Sequence, residues 1–285
     1  MLIRRICVII ILVAAMELSS ADALAQSDWD LYILRLVNRA RQDPTGEPGR
    51  IGSSITDPRS AVGPLAYNLK VAQAARNHND WMYNNLGSIV SGNTPDSFTH
   101  YETLNGAETG PPATGTPSFT GVGIRERITA AGFVWDRVGE NVATFMNTES
   151  IAVNRTQIDS NHKGWWESTG HRDNMLKGDF MVFGHWAESW TISPPIGNIN
   201  PPFDNLHFAT QNYARSLSSP QTYIFGLLYD DKDNSGDWTP RNSGDSLREG
   251  LVGVSFQVLV AGTSTVAASG STMSNGAFSA NVGNG

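Results

Sequence analysis

Gly164-Trp165-Trp166-Glu167-Ser168-Thr169-Gly170-His171-Arg172-Asp173-Asn174-Met175-Leu176 sets a histidine between glycine and arginine, shortly after a tryptophan pair. Two shorter runs upstream belong with it, Ser97-Phe98-Thr99-His100 and Val138-Gly139-Glu140-Asn141. Each places one histidine or one glutamate inside a Gly- or Ser-flanked segment. Imidazole nitrogen and carboxylate oxygen are the donors a borderline cation such as zinc accepts, and they also move protons near neutral pH. The three runs are therefore expected to converge on one cleft, although 71 residues separate His100 from His171. The alternative is that these side chains brace loops around a narrow groove, since buried polar groups must find partners. Glu140-Asn141 would then sit on a turn and accept backbone N–H groups.

The ends of the sequence set the compartment. Arg4-Arg5, an apolar run from Ile6 to Ala15, and Ala23-Leu24-Ala25 describe a cleavable export signal over residues 1–25, cut after Ala25. The apolar run is too short for a membrane-spanning helix, which needs roughly 20 residues. Cys7 is the only cysteine and lies inside that signal. The mature chain therefore has no disulfide, no thiolate metal ligand and no cysteine nucleophile. At roughly 260 residues it is long enough to bury a core without such staples. The net charge of −7, with Lys and Arg dispersed, speaks against nucleic acid and against anionic membrane surfaces as partners.

Apolar periodicity organises the rest. Trp29, Ile33, Leu36, Val37 and Ala40 recur at the helical period, and Asp43-Pro44 ends that helix. A second helix follows Gly63-Pro64 through Leu69, Ala72, Ala75 and Met82; a third is expected over Ser150–Trp166. The Gly/Ser/Thr/Pro-rich stretch from Leu86 to Gly121 carries His100 on irregular backbone. Phe180–Trp190 and Asn205–Ala214 read as strands. Helices first and strands later predict an α+β layered domain ending near Arg215. Beyond the polar linker Ser216–Pro220, Tyr223–Tyr229 and Val252–Val260 read as strands of a small all-β module. His78 is expected in the core and His162 on an exposed helix face, while His185 and His207 have no carboxylate at useful spacing.

Six landmarks occur in a fixed order: Leu36-Val37-Asn38-Arg39-Ala40-Arg41; Pro64-Leu65-Ala66-Tyr67-Asn68 leading to His78 and Met82; Phe98-Thr99-His100; Gly139-Glu140-Asn141; Trp165 through His171-Arg172 to Leu176; and Gln211-Asn212-Tyr213. On these the chain resembles the CAP superfamily of cysteine-rich secretory, antigen-five and pathogenesis-related proteins, in its bacterial SCP-domain form. The resemblance implies a three-layer α-β-α sandwich over residues 26–216. It also implies a cleft in which His100 and His171 hold a divalent, zinc-type cation beside Glu140. The animal and plant members carry a second glutamate where this chain has Ser168, and Glu167, one position away, is the substitute candidate.

In the second module, residues 221–285, Asp231, Asp233, Ser235 and Asp237 alternate oxygen side chains around Gly236, as a calcium loop does. The twelfth position is Asn242 rather than a bidentate glutamate, so the loop is not an EF-hand. With Gly226-Leu227 and Glu249-Gly250-Leu251-Val252-Gly253-Val254 the segment resembles the calcium-binding B-type repeats of serine–aspartate-repeat adhesins. Against those repeats it reads as an incomplete β-sandwich lacking a closing strand.

The expected function is a secreted CAP/SCP-domain protein. Its cleft would bind a divalent metal or a small ligand such as a lipid, and its β-module would serve spacing or contact with an extracellular protein or glycan. The rival reading is a metal-dependent extracellular hydrolase using His100 and His171, with Glu140, or more remotely Glu167, as a catalytic carboxylate. No H-E-x-x-H, G-x-S-x-G or P-loop motif supports that rival, and binding is favoured over catalysis.

Overall fold

The computed structural model describes residues 27–85, 100, 102, 122–147, 152–192, 205–217, 222–242 and 244–282. The export signal, most of Leu86–Gly121 and the Asn284-Gly285 end lie outside the described residues. The chain divides into two compact units, one spanning Asp28–Ser219 and one that includes Pro220–Gly285.

The first unit is built on a four-stranded sheet of order β1-β3-β4-β2. Its strands are β1 (Ala66–Tyr67), β2 (Trp135–Asn147), β3 (Val182–Thr191) and β4 (Asn205–Ser216). β4 runs antiparallel to both β2 and β3, and β1 joins β3 in parallel. Side chains alternate across a strand, and the register shows which helix each row meets. The row Glu140–Asn212–Gly184 faces helix α3 (Leu69–Asn84), whose residues Val71 and Ala72 lie against Asn212 and Gly184. The row Asn141–Gln211–His185 faces the opposite layer. There α1 (Asp28–Gln42) supplies Asp30 to His185, and α5 (Arg155–Glu167) sets Trp165 against the same ring. The result is a three-layer α-β-α sandwich.

The close approach of α3 to β3 depends on Gly184. A β-carbon there would lie 2.1 Å from the Ala72 nitrogen, so no other residue fits without moving the helix. The α3 N-terminus is capped by the Asn68 side chain, which accepts from the Lys70 and Val71 amides. The short helices are α2 (Glu47–Ile51), α4 (Ile124–Ala130) and α6 (Thr169–Met175).

The alternative reading of Glu140-Asn141 as a turn and the exposed place expected for His162 are both corrected. The Gly139-Glu140-Asn141 run is not a turn: it lies in the middle of β2, a 13-residue strand. Helices and strands are accordingly interleaved rather than segregated. His162 is not exposed but fully buried, with Nε2 2.9 Å from Glu47 Oε1; Arg39 meets both oxygens of the same buried carboxylate, at 2.9 and 2.5 Å. The glycine-proline run around α2 brings that carboxylate under α5, a tertiary contact that helix periodicity cannot register.

In the second unit β5 (Tyr223–Leu227) pairs with β8 (Ala277–Asn281), and β6 (Ser255–Leu259) pairs with β7 (Val266–Ser271), both antiparallel. Phe256 and Phe278 join the two hairpin-like layers with ring centroids 4.9 Å apart. Gly276 takes a left-handed φ of 82°, and a β-carbon on it would strike the Leu228 carbonyl oxygen at 2.2 Å.

Candidate functional site

Glu140 and Asn141 are neighbours on β2, the terminal strand of the sheet, so their side chains leave on opposite faces. Glu140 turns toward the α3 side. Its Oε1 lies 3.0 Å from His100 Nδ1, and its Oε2 accepts from Arg127 Nη2 at 2.6 Å. Asn212, with its amide nitrogen turned to the carboxylate, donates to Oε2 at 3.0 Å. Asn141 turns the other way. Its Nδ2 donates to the His171 carbonyl at 3.1 Å and to Gln211 Oε1 at 3.0 Å. Asn174 closes that side by donating to the Glu140 carbonyl and to Asn141 Oδ1, both at 3.0 Å.

Gly139 makes this fit. A β-carbon there would lie 2.8 Å from both Asn174 Oδ1 and Phe180 Cζ. Gly-Glu-Asn is thus a unit in which the glycine admits helix α6 and the two polar residues serve opposite faces of one strand.

The electrostatics follow from burial. Burial by itself raises the Glu140 pKa, but Arg127, His78 and His100 together outweigh it and hold the carboxyl at about 2. Arg127, only 3% exposed, also donates to the His100 carbonyl at 3.2 and 3.3 Å and to the Val122 carbonyl at 3.0 Å. Beyond it Glu102 Oε1 meets buried His78 Nδ1 at 3.2 Å. His171 is partly buried, and burial, then the nearby charge of His100, lowers its pKa from the ordinary histidine value. The lowered pKa favours the neutral form of His171, the form that ligates a cation.

Glu140 and His100 meet at 3.0 Å, and His171 is tied to the same strand through its carbonyl and Asn141; the three do not form a trio of ligand atoms. Among the described residues the one trio of His, Cys, Asp or Glu ligand atoms all within 4.8 Å is Asp231, Asp233 and Glu249. Both Glu140 oxygens are already committed, one to Arg127 and one to His100. His100 and His171 are the imidazoles that could hold a divalent cation, with the carboxylate standing behind one of them rather than beside it. Glu167 is 42% exposed at its side chain and pairs with Lys163 at 3.9 Å, one turn back on α5. Trp165 and Trp166 are fully buried. Arg127 and Glu102 carry no sequence signal of their own, because their partners come from distant segments; His78 lies in the core as expected.

In the second unit Asp231 and Asp233 accept from the turn amides: Oδ1 of each from Ser235 N–H at 3.0 Å, and Asp231 Oδ2 from Gly236 N–H at 2.9 Å. The Ser235 hydroxyl, against a smaller opposing effect of burial and with help from Arg241, holds Asp233 well below the usual carboxylate range. Ser235 Oγ donates to the Asp237 carbonyl, and Asp237 Oδ1 accepts from the Trp238 amide at 2.8 Å. Neither stands in the acidic trio. Glu249 does. It is fully buried and accepts from Thr239 N–H at 2.8 Å.

The model of the cysteine-rich secretory protein family, CAP, matches residues 34–213. One similar solved structure is an extracellular protein containing an SCP domain from Bacillus anthracis str. Ames, at 19% identity and TM-score 0.34, over 71% of this chain and 45% of that one. A second is an outer surface protein from Borrelia burgdorferi, at 11% identity and TM-score 0.34, over 65% of this chain and 94% of that one. The match thus spans less than half the length of the Bacillus protein. No curated protein matches the chain. Among the described residues no helix is long and apolar enough to cross a membrane.

Proposed function

The chain belongs to the cysteine-rich secretory protein (CAP) family, and from that premise we propose that it is an exported binding protein whose cleft holds a divalent, zinc-type cation between His100 and His171. The observation that carries this reading is the place of Glu140, 3.0 Å behind His100 Nδ1 and locked to Arg127. A carboxylate behind the imidazole orients the ring and raises its donor strength. The same arrangement argues against Glu140 as general base for hydrolysis. A carboxyl held at about 2 takes up a proton poorly near neutral pH, where a general base works best with a pKa close to the operating value. A small ligand, a lipid among them, can complete the open coordination positions or occupy the cleft without the ion.

The second unit is proposed as a calcium-stabilised β-module resembling B-type adhesin repeats, serving spacing or contact with an extracellular protein or glycan. Asp231, Asp233 and Glu249 support it, with Ser235 and Asp237 in the turn they enclose.

Calorimetric titration of zinc into the metal-free protein tests the cleft. One ion is expected to bind the unaltered protein and to lose affinity as pH falls below about 6, where imidazole protonates. His100→Ala and His171→Ala should each abolish that binding. Equal binding by the double variant, or a titration indifferent to pH, would defeat histidine ligation.

A further inference from the structure

We propose that Arg127 is the positioning residue of the cleft, fixing both the place and the tautomer of His100. The inference rests on the two-histidine reading of the site and extends it to a residue outside the family landmarks. Arg127 is buried on the short helix α4, and its guanidinium makes three kinds of hydrogen bond besides an ion pair with Glu102 at 3.7 Å. Nη1 and Nη2 both donate to the His100 carbonyl, at 3.2 and 3.3 Å. Nη1 also donates to the Val122 carbonyl at 3.0 Å, tying the same group to the entry of α4. Nη2 donates to Glu140 Oε2 at 2.6 Å, and Glu140 Oε1 meets His100 Nδ1 at 3.0 Å.

These contacts form a closed ring: guanidinium to main-chain carbonyl of His100, guanidinium to carboxylate, carboxylate to imidazole of the same histidine. A planar fork with several fixed donors can hold two acceptors at once, which a single ammonium cannot. With Glu140 kept as an acceptor-only carboxylate, Nδ1 must carry the hydrogen. The ligand lone pair of His100 is then assigned to Nε2. His100 sits in a Ser/Thr/Gly-rich stretch and its side chain is 40% exposed, and the Glu140 carboxylate meets its ring at Nδ1. His171 needs no such device, because α6 and Asn141 place it through the backbone.

The test is the imidazole nitrogen spectrum of the ¹⁵N-labelled, metal-free protein at a pH where imidazole is neutral, beside its zinc affinity. The unaltered protein is expected to show His100 with hydrogen on Nδ1. Arg127→Met should convert it to a mixture of tautomers and weaken zinc at least tenfold, within the 10–100-fold typical of an outer partner. An arginine that only stabilises the fold would lower the melting temperature and leave the tautomer alone. A folded Arg127→Met variant with the original tautomer and affinity overturns the proposal. Should that variant not fold, Arg127→Lys decides: unaltered tautomer and affinity overturn the role, and loss of either supports it. If the unaltered protein binds no zinc, the two-histidine reading falls, while the tautomer comparison still judges Arg127.

Discussion

At the residue scale, Glu140 shows what a sequence can say about a site and what it cannot. Its type and its neighbours Gly139 and Asn141 single it out, yet its role depends on Arg127, thirteen residues away on a helix with no distinguishing pattern. Glu140→Gln removes the anion and leaves the buried guanidinium with only carbonyl acceptors and the more distant Glu102 carboxylate, at 3.7 Å. Breaking one half of a buried pair costs about 3–5 kcal/mol, and loss of that order is expected in urea unfolding at neutral pH. The ion pair also has a pH window. The folded pKa of about 2 lies below the unfolded glutamate value near 4.3. Its contribution is thus complete above the unfolded value and is lost as pH falls through the folded one. The unaltered protein should lose stability over that window more steeply than the Gln variant. Parallel pH profiles of the two would show that Glu140 contributes no charge to the native state. The Gly139→Ala variant asks a different question, since its β-carbon would press on Asn174 and Phe180. It should unfold at lower temperature and bind zinc more weakly, because the strain falls on the helix that carries His171. A variant with unchanged melting and affinity would mean that α6 has room to yield.

At the scale of elements, the three long helices are legible in the sequence, while the short helices and strands β1 and β2 are not. Its apolar period and Asp43-Pro44 stop predict the first helix, and it spans Asp28–Gln42. The Ala-rich helix begins at Leu69 as its Asn68 cap and Gly-Pro approach suggest. Strand β2 was hidden because both its faces are partly polar: Arg137, Glu140, Asn141 and Thr144 leave no clean alternation, and the glycine in their midst reads as a turn. A strand with an ion-pair site on one face and an amide network on the other has no hydrophobic period to show. His185 and Asp30 failed for a related reason. They lie 155 residues apart in sequence and 2.7 Å apart in space, and spacing rules see only the first distance. Gly184 offers an element-scale test. Gly184→Ala places a methyl group 2.1 Å from the backbone of α3, and backbone cannot yield as a side-chain tip can. Destabilisation of about 3 kcal/mol or more is expected from overpacking of this kind, read as a drop in denaturant midpoint. A change under about 0.5 kcal/mol would show that α3 shifts freely on the sheet.

At the scale of the whole molecule, acid should act on one unit and calcium on the other. His207 is buried in the first unit, and burial, then the charge of His185, pushes its pKa down to about 3. His171 is lowered in the same direction. Between the unfolded histidine value near 6.5 and those folded values the unfolded chain binds more protons. Stability of this unit therefore falls as pH drops below about 6.5, by an amount on the order of a few kcal/mol. The second unit answers to its acidic trio. Three carboxylates within 4.8 Å of one another repel, and a hard cation with oxygen ligands relieves that repulsion. Binding to the folded form alone adds about 1.4 kcal/mol at a tenfold excess over Kd. Two calorimetric transitions are expected. Calcium should raise the one belonging to residues 220–285 and leave the other nearly fixed, whereas acid should lower the other. Glu249→Gln should abolish the calcium response. Asp237→Asn, outside the trio, should reduce it less. A single transition indifferent to calcium and chelator would refute both the independence of the units and the cation loop. A calcium response preserved in Glu249→Gln would return the site to the Asp231–Asp237 turn alone.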